Sequence, residues 1–183
     1  MTTSYKVYAP GEAPSKYTPG DFILVKTKDT FSMFIRFGQA LRYHGVMKQF
    51  SYWNHCALIV DADGTMIETT GRGVVENNIS EYEGFEYYYV STNLNQQSRD
   101  QVVAAAKSFL NDKYAWLTIV SISLNLALGV KLQFTRRNTM TCSAVVAQSL
   151  WAGGIIFNNN PYQMMPADLA VAFNVSYTFA LAA

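Results

Sequence analysis

The sequence predicts an α+β fold in which an antiparallel sheet packs against helices. Short apolar runs separated by turn residues predict neighbouring strands in the first half of the chain, as on either side of Asp61-Ala62-Asp63-Gly64. Segments with apolar residues at helical spacing, notably 98–111 and 142–152, follow these strands. Strands and helices grouped in this way are typical of an α+β domain.

The composition is that of one domain without metal or disulfide supports. The chain has 183 residues, 50% of them hydrophobic, so it can bury a sizeable core on its own. Prolines and glycines punctuate residues 1–19, which predicts an extended N-terminal arm, and residues 20–183 then form a single domain. The two cysteines and two histidines match no zinc signature, so no metal or other cofactor is expected.

The charge and the N-terminal segment bear on partners and location. A net charge of +1, with no run of Lys or Arg, argues against a nucleic-acid partner. Residues 1–16 contain no apolar segment of the signal-peptide type, which favours a cytoplasmic or virion-associated protein. The pattern makes no prediction about the oligomeric state.

The first half of the domain predicts four strands and one helix. Residues 22–26 and residues 85–91 each predict a strand, the second rich in Tyr and Phe. Residues 55–60 and 65–70 are apolar runs joined by a strong turn signal, and they predict a hairpin. A helix capped by Asp29 or Thr30 is predicted from apolar residues at helical spacing, namely Phe31, Phe34, Ile35, Phe37, Ala40 and Leu41.

The second half predicts two helices and a final element. Residues 98–111 form a helix whose buried side carries Val102, Ala105, Ala106, Phe109 and Leu110. Another helix begins near Cys142 and stops at Gly153-Gly154. The last element begins at residues 166–169 and is too apolar for the pattern to decide between helix and strand.

Residues 116–130 are an unusually apolar stretch. It is shorter than the ~20 residues that span a bilayer, and Asn125 interrupts it, so no transmembrane segment is predicted. Two interpretations stay open: a buried helix beside the Cys142 helix, or an apolar wall or lid for an acyl chain. The second interpretation would indicate a lipid substrate.

Cys142 and His55 are candidates for a nucleophile and its base. Cys142 lies in the predicted first turn of an apolar helix, with Thr141 or Thr139 as its cap. The unpaired N–H groups and positive dipole end of a helix N-terminus favour the thiolate, which is the reactive form of cysteine. His55 opens the first strand of the hairpin, and an imidazole is the usual base for a thiol nucleophile.

The hairpin also predicts a partner for His55. If residues 61–64 form the loop, Ala57 lies opposite Glu68, and His55 and Glu68 share one face of the sheet. Diagonal neighbours of this kind lie about 7 to 8 Å apart at Cα, within reach of two side chains. The same parity sends Cys56 to the opposite face as a core residue. A loop of odd length would instead separate His55 from Glu68.

Several short motifs occur in a particular order along the chain. They are Gly20-Asp21-Phe22-Ile23-Leu24-Val25, Trp53-Asn54-His55, Glu68, Tyr114, Cys142-Ser143 and Met165-Pro166-Ala167-Asp168-Leu169. In this order they resemble the circularly permuted papain-like hydrolases, the permuted branch of the NlpC type, which is akin to lecithin:retinol acyltransferases. Unpermuted members have the cysteine helix before the histidine strand, whereas here the histidine comes first. The resemblance spans residues 20–170.

The resemblance implies a circularly permuted papain-like fold and a cysteine hydrolase mechanism. It makes Cys142 the nucleophile, His55 the general base and Glu68 the polar third residue. Backbone N–H groups at the start of the Cys142 helix are placed to bind the oxyanion that develops on the substrate.

Three further residues are expected near the site. By the resemblance, Tyr114 and Ser143 line the site or help to hold the oxyanion. The turn before Tyr114, Asn111-Asp112-Lys113, departs from the small Gly-containing turn that is frequent in the family. Trp53 either walls the cleft or anchors the strand that carries His55.

The expected function is hydrolysis of an amide bond in a peptide or cell-wall peptide. His55 accepts the Cys142 proton, the thiolate attacks an acyl carbon, and water or another acceptor resolves the acyl-enzyme. The expected partner is therefore a peptide or peptidoglycan-like substrate. Two other functions stay open: a thioesterase, phospholipase or acyltransferase acting on lipids, and a non-catalytic papain-like virion or interaction protein.

Overall fold

The computed structural model describes residues 4–27, 39, 42–43, 45–114 and 139–177. The helix predicted over residues 31–41 lies outside these ranges apart from Gln39, and the apolar stretch 116–130 lies outside them entirely. Within these ranges the chain forms a six-stranded sheet, a two-stranded sheet and three α-helices.

The described residues form a mixed α+β arrangement, which confirms the predicted class at this level. The strands of the large sheet are β1 Ser4–Tyr8, β2 Phe22–Val25, β3 His55–Ile59, β4 Thr65–Thr70, β5 Gly73–Asn78 and β6 Tyr87–Ser91. They lie in the order β1-β6-β2-β3-β4-β5, with every neighbouring pair antiparallel. The other elements are α1 Gln96–Ser108, α2 Cys142–Ala152, α3 Pro166–Ala172 and a short parallel pair, β7 Lys113–Tyr114 with β8 Thr139–Met140.

The hairpin of β3 and β4 adopts the predicted register. Leu58 lies opposite Ile67. The Val60 N–H donates to the Thr65 carbonyl oxygen at 2.8 Å, which closes the loop of residues 61–64. Because successive side chains point to opposite faces of a strand, this loop decides which residues of β3 and β4 meet.

Side-chain alternation divides the large sheet into two buried faces. One face includes Phe22, Leu24, Cys56, Leu58, Ile67 and Val90, which form one core cluster with Val102 of α1 and with Val145, Val146 and Leu150 of α2. The other includes Ile23, Val25, Ala57, Ile59, Met66, Tyr82, Tyr87 and Tyr89. Nearly all of α2 is buried, which explains why most of its residues are apolar or small. Each fully buried aliphatic side chain contributes about 1.5–3 kcal/mol, so α2 is held firmly on the sheet.

β1 lies within the segment that the sequence predicts as an extended arm. It pairs with β6 along its whole length, from Ser4 opposite Ser91 to Tyr8 opposite Tyr87. Ring packing adds to the backbone pairing, because the Tyr8 and Tyr87 centroids are 5.3 Å apart. The prolines and glycines that indicate an irregular arm come only after this strand, from Pro10 onward.

β5 and the turn that follows it are absent from the sequence-based prediction. β5 has only two apolar residues because it is an edge strand with polar positions along its second half. The single-turn 3₁₀ helix Ile79–Tyr82 follows, and the Asn78 side chain caps it by accepting the Ser80 N–H at 3.0 Å. This short element matters because it carries a residue of the site.

The helices agree with the prediction except at some ends. α2 spans the predicted residues and ends before Gly153-Gly154. α1 begins earlier than predicted because Asn95 caps it, accepting the Ser98 N–H at 2.9 Å. The last element is a helix, α3, since Pro166 occupies its first turn and the Asp168 carboxylate accepts the Met165 N–H at 2.8 Å.

Gly73 at the start of β5 provides a test of this arrangement. Its φ of +112° lies in the region that favours glycine, and a Cβ there would fall against the Asp112 carbonyl oxygen. The Val74 N–H donates to that same oxygen at 2.8 Å and ties β5 to the segment leading into β7. We expect Gly73→Ala to lower the free energy of unfolding by about 1–3 kcal/mol, measured by urea denaturation.

The matched control for this variant is Gly71→Ala. Gly71 has no positive φ, and a Cβ there meets no described atom within 4 Å. Its effect should stay within about 0.5 kcal/mol. Equal losses in the two variants would contradict the close packing of Gly73.

Candidate active site

The N-terminus of α2 presents Cys142. Thr141 caps the helix, because its Oγ1 accepts the Ala144 N–H at 3.1 Å. Thr139, the other candidate cap, lies in β8. Cys142 and Ser143 are the first two helical residues, so their N–H groups have no acceptor within the helix. These groups and the positive end of the helix dipole favour negative charge at this point.

His55 stands at the start of β3 and is held by Glu68 of β4. The His55 Nε2 and Glu68 Oε2 atoms are 2.6 Å apart, and the two side chains are only 14% and 3% exposed. The hairpin register brings both residues to one face, as the sequence predicts. Because the Nε2 nitrogen of His55 is hydrogen-bonded to Glu68, its Nδ1 nitrogen remains available for a second partner.

Cys142 is the second group that acts on the imidazole, because its side chain and its negative charge favour the protonated form of His55. Burial favours the neutral imidazole, but Cys142 and Glu68 outweigh burial and raise the pKa of His55 to about 10. A hydrogen bond from Cys56, with the charge of His55, holds the pKa of Cys142 well below its ordinary value in spite of burial. These opposite shifts favour the thiolate form of Cys142 and the imidazolium form of His55.

Cys56 lies on the opposite face of β3 from His55, against α2. It is fully buried, as predicted for a core residue, and its side chain also interacts with that of Cys142. Burial, followed by the effect of Cys142, raises the pKa of Cys56 well above its ordinary value. Cys56 therefore stays a neutral thiol that donates to the Cys142 sulfur. From its position in the sequence, Cys56 is predicted only to pack in the core. Its contact with Cys142 arises because α2 packs on the face of β3 that carries Cys56.

The Glu68 carboxylate is buried and has three hydrogen-bond donors. Besides His55, the Asn77 Nδ2 donates to Oε1 at 2.7 Å and the Tyr82 hydroxyl donates to Oε2 at 2.5 Å. Burial alone would raise the pKa of Glu68, but these donors reverse the effect and lower it. Neither Asn77 nor Tyr82 is a sequence-predicted site residue, because both lie on β5 and the turn that the pattern does not reveal.

Tyr114 is positioned by the short parallel pair. In β7 it lies opposite Met140 of β8, close in the chain to Cys142. The pairing brings the Tyr114 backbone beside the segment that leads into α2. Asn111, in the turn before Tyr114, has a φ of +71° and so adopts the left-handed conformation that glycine usually supplies.

Trp53 and Ser143 support the site through their packing and hydrogen bonds. Trp53 is fully buried and packs edge-to-face on Tyr52 and Tyr88, with ring centroids 5.8 and 5.0 Å apart. This environment favours anchoring of the strand over walling of a cleft. The Ser143 hydroxyl donates to the Met164 carbonyl oxygen at 2.5 Å, so its backbone N–H is the group that remains for an oxyanion.

Buried polar residues link the start of α3 to the start of β3. The Gln39 Nε2 donates to the Trp53 carbonyl oxygen at 2.8 Å, and its Oε1 accepts the Ala167 N–H at 2.9 Å. The Asp168 carboxylate accepts the Tyr43 hydroxyl at 2.6 Å. The last motif of the resemblance therefore holds α3 beside the start of the strand that carries His55.

No family model and no curated protein matches the chain. The chemistry of the site is therefore argued from its own geometry. Among the described residues, no group of three or more His, Cys, Asp or Glu is arranged to hold a metal ion. In the same part of the chain, no helix is both long enough and apolar enough to cross a membrane.

The pKa shifts predict unequal reactivity of the two cysteines. Near neutral pH, iodoacetamide should label Cys142 at least about tenfold faster than Cys56, because the first is a thiolate and the second a thiol. The Cys142 rate should stay nearly constant with rising pH until His55 loses its proton at about pH 10. His55→Ala should slow labelling at neutral pH. Mass spectrometry of the labelled peptides measures both rates, and equally slow labelling would contradict the ion pair.

Substitution of Cys56 tests its effect on the pKa of Cys142. Cys56→Ala removes the donor, so the pKa of Cys142 should rise and half-maximal alkylation should occur at higher pH. Cys56→Ser retains an O–H donor and should keep the wild-type midpoint. The midpoint of the alkylation rate against pH is the measurement. Coincident profiles for Cys56→Ala and wild type would show that Cys56 only packs.

Proposed function

We propose that this chain is a cysteine hydrolase of the circularly permuted papain-like type. In this proposal it cleaves an amide bond in a peptide or cell-wall peptide through an acyl-enzyme on Cys142. The observation that carries the proposal is the hydrogen bond of 2.6 Å between His55 and Glu68, together with the interaction of Cys142 with the same imidazole. A nucleophile, a base and a residue that orients the base are the parts that covalent acyl transfer needs.

The arrangement of elements supports the papain-like assignment. A cysteine begins a buried helix, the helix packs on an antiparallel sheet, and adjacent strands of that sheet supply the histidine and the carboxylate. His55 precedes Cys142 in the chain, which is the order of the permuted group. Tyr114 pairs beside the entry to the nucleophile helix, in keeping with the resemblance.

In the acylation step, the Cys142 thiolate attacks the carbonyl carbon of the scissile amide. The carbonyl π electrons move to oxygen, and the N–H groups of Cys142 and Ser143 are available to stabilise that oxyanion. Each such donor is worth about 3–4 kcal/mol in the transition state. His55 then gives its proton to the amide nitrogen, the C–N bond breaks, and the amine leaves.

In the deacylation step, water resolves the thioester. The now neutral His55 accepts a proton from the water, and the resulting hydroxide attacks the acyl carbon. Collapse of the tetrahedral intermediate breaks the C–S bond and releases the carboxylic acid. The Cys142 thiolate and the His55 imidazolium are regenerated, so protons and electrons balance over the cycle.

The protonation state of His55 favours an amide substrate over an ester. An amine is a poor leaving group unless it is protonated as the C–N bond breaks, whereas an alkoxide or thiolate depends less on a proton donor. Because its pKa is raised to about 10, His55 carries this proton at neutral pH. Lipid esters and thioesters are therefore the second substrate class to test.

Cleavage assays separate the possible functions. The protein should release new amino groups from peptidoglycan-derived peptides, and Cys142→Ala should reduce the rate by at least about a thousandfold. Glu68→Gln should lower it less, because the imidazole remains but its orientation is less fixed. Intact-mass analysis should detect an acyl-enzyme that is absent from Cys142→Ala. Fatty-acid release from phospholipid vesicles would favour a lipid hydrolase, and inactivity on both substrates would indicate a non-catalytic protein.

A further inference from the structure

One carboxylate oxygen of Glu68 accepts hydrogen bonds from two donors. His55 Nε2 lies 2.6 Å from Oε2, and the Tyr82 hydroxyl donates to the same oxygen at 2.5 Å. Asn77 occupies the other oxygen, Oε1, at 2.7 Å and so fixes the plane of the carboxylate. His55 and Tyr82 therefore share one acceptor, the Oε2 atom of an almost fully buried carboxylate.

Tyr82 contacts the base as well as the carboxylate. Its ring is stacked against the His55 ring, with centroids 5.8 Å apart and an interplanar angle of 29°. The turn that carries Tyr82 is fastened to the hairpin, because the Ile79 N–H donates to the Gly64 carbonyl oxygen at 2.9 Å. Tyr82 is 8% exposed, so neither its ring nor its hydroxyl is free to move away from the pair.

Two other buried tyrosines, on the face of the sheet whose core includes Tyr82, show which hydrogen bonds a tyrosine hydroxyl needs for burial alone. The Tyr87 hydroxyl donates to the Glu12 carbonyl oxygen at 3.3 Å, and the Tyr89 hydroxyl donates to an Asp21 carboxylate oxygen at 3.0 Å. Each buried hydroxyl thus needs some acceptor, and any acceptor satisfies it. The hydroxyl of Tyr82 bonds to the same oxygen atom that orients the imidazole.

We infer that Tyr82 is a positioning residue that limits the basicity of His55 by sharing the Glu68 Oε2 oxygen with it. A hydrogen bond from Tyr82 draws charge from this oxygen, so the attraction between the carboxylate and the imidazolium is weaker than it would be with a single donor. The inference rests on the proposed function in one respect, which is that His55 is the base of the site.

The consequence for catalysis concerns proton release. An imidazolium bound to an unshared carboxylate holds its proton more tightly and transfers it less readily to a leaving amine. Among the described residues, the titratable groups facing His55 and Glu68 are Tyr82 from the turn, Cys56 from β3 and Cys142 from α2. Burial and the Glu68 carboxylate raise the pKa of Tyr82 above its ordinary value, so it remains a donor.

Tyr82→Phe tests the inference, because it keeps the stacked ring and removes only the hydroxyl. The chain has two histidines, so ring 15N signals titrated by NMR are few, and a His44→Gln background assigns the His55 signal. We expect Tyr82→Phe to raise the pH at which His55 loses its proton by about one unit. Asn77→Ala, on an edge strand, should shift it in the same direction but by less, since Oε1 is not the oxygen that His55 uses.

Tyr87→Phe is the matched control, since it removes a buried hydroxyl from the same face without touching Glu68. It should leave the His55 titration unchanged. The inference is overturned if Tyr82→Phe titrates like wild type, or if the His55 pKa falls, which would mean that Tyr82 merely supports the carboxylate. The titration of His55 needs no substrate. Inactivity on amides would therefore refute the proposed function, whereas the titration tests the role of Tyr82 by itself.

Discussion

The hydrogen bond between His55 and Glu68 is the contact on which the rest of the site depends. It exists because a loop of four residues joins β3 to β4, and side-chain parity then brings both residues to one face. A different loop length would turn one of the two side chains toward the other core. The chemistry of the site therefore begins with a backbone register rather than with any reactive group.

The buried charges of this site stabilise one another only as a set. Cys142, His55 and Glu68 are each largely withdrawn from water, where a lone charge would be costly. The contributions of His55 and Cys142 to stability depend on pH in opposite ways. The contribution of His55 is complete below its ordinary pKa of 6.5 and is lost as the pH rises through about 10. The contribution of Cys142 is complete above its ordinary pKa of 9.0 and is lost as the pH falls through its lowered value.

Local patterns were sufficient to predict the central part of this arrangement. The apolar run after Thr141 and the two glycines after Ala152 predict α2, and the Asp-Gly turn signal predicts the hairpin with its register. Cys142, His55 and Glu68 could be found because each lies at an element end or strand position that such signals define. The α+β class follows from the same elements.

Other parts depend on contacts that no local pattern encodes. β5 is polar along its second half because it is an edge strand, so neither Asn77 nor Tyr82 could be linked to Glu68 from the sequence. The position of Cys56 beside Cys142 depends on which face of β3 packs against α2. β1 gains its order from pairing with β6, far away in the chain. In each case the deciding partner is distant in sequence.

The order of His55 and Cys142 along the chain has a consequence for synthesis on the ribosome. At about 5–20 residues per second, the hairpin that holds the imidazole emerges several seconds before the helix that supplies the sulfur. During that interval a nascent polypeptide contains His55 and Cys56 but not Cys142, the residue that the proposal makes the nucleophile. If the proposed hydrolase activity is correct, every copy is inert while it is being translated, and the capacity to cut peptides arises only when the late helix packs onto the completed sheet.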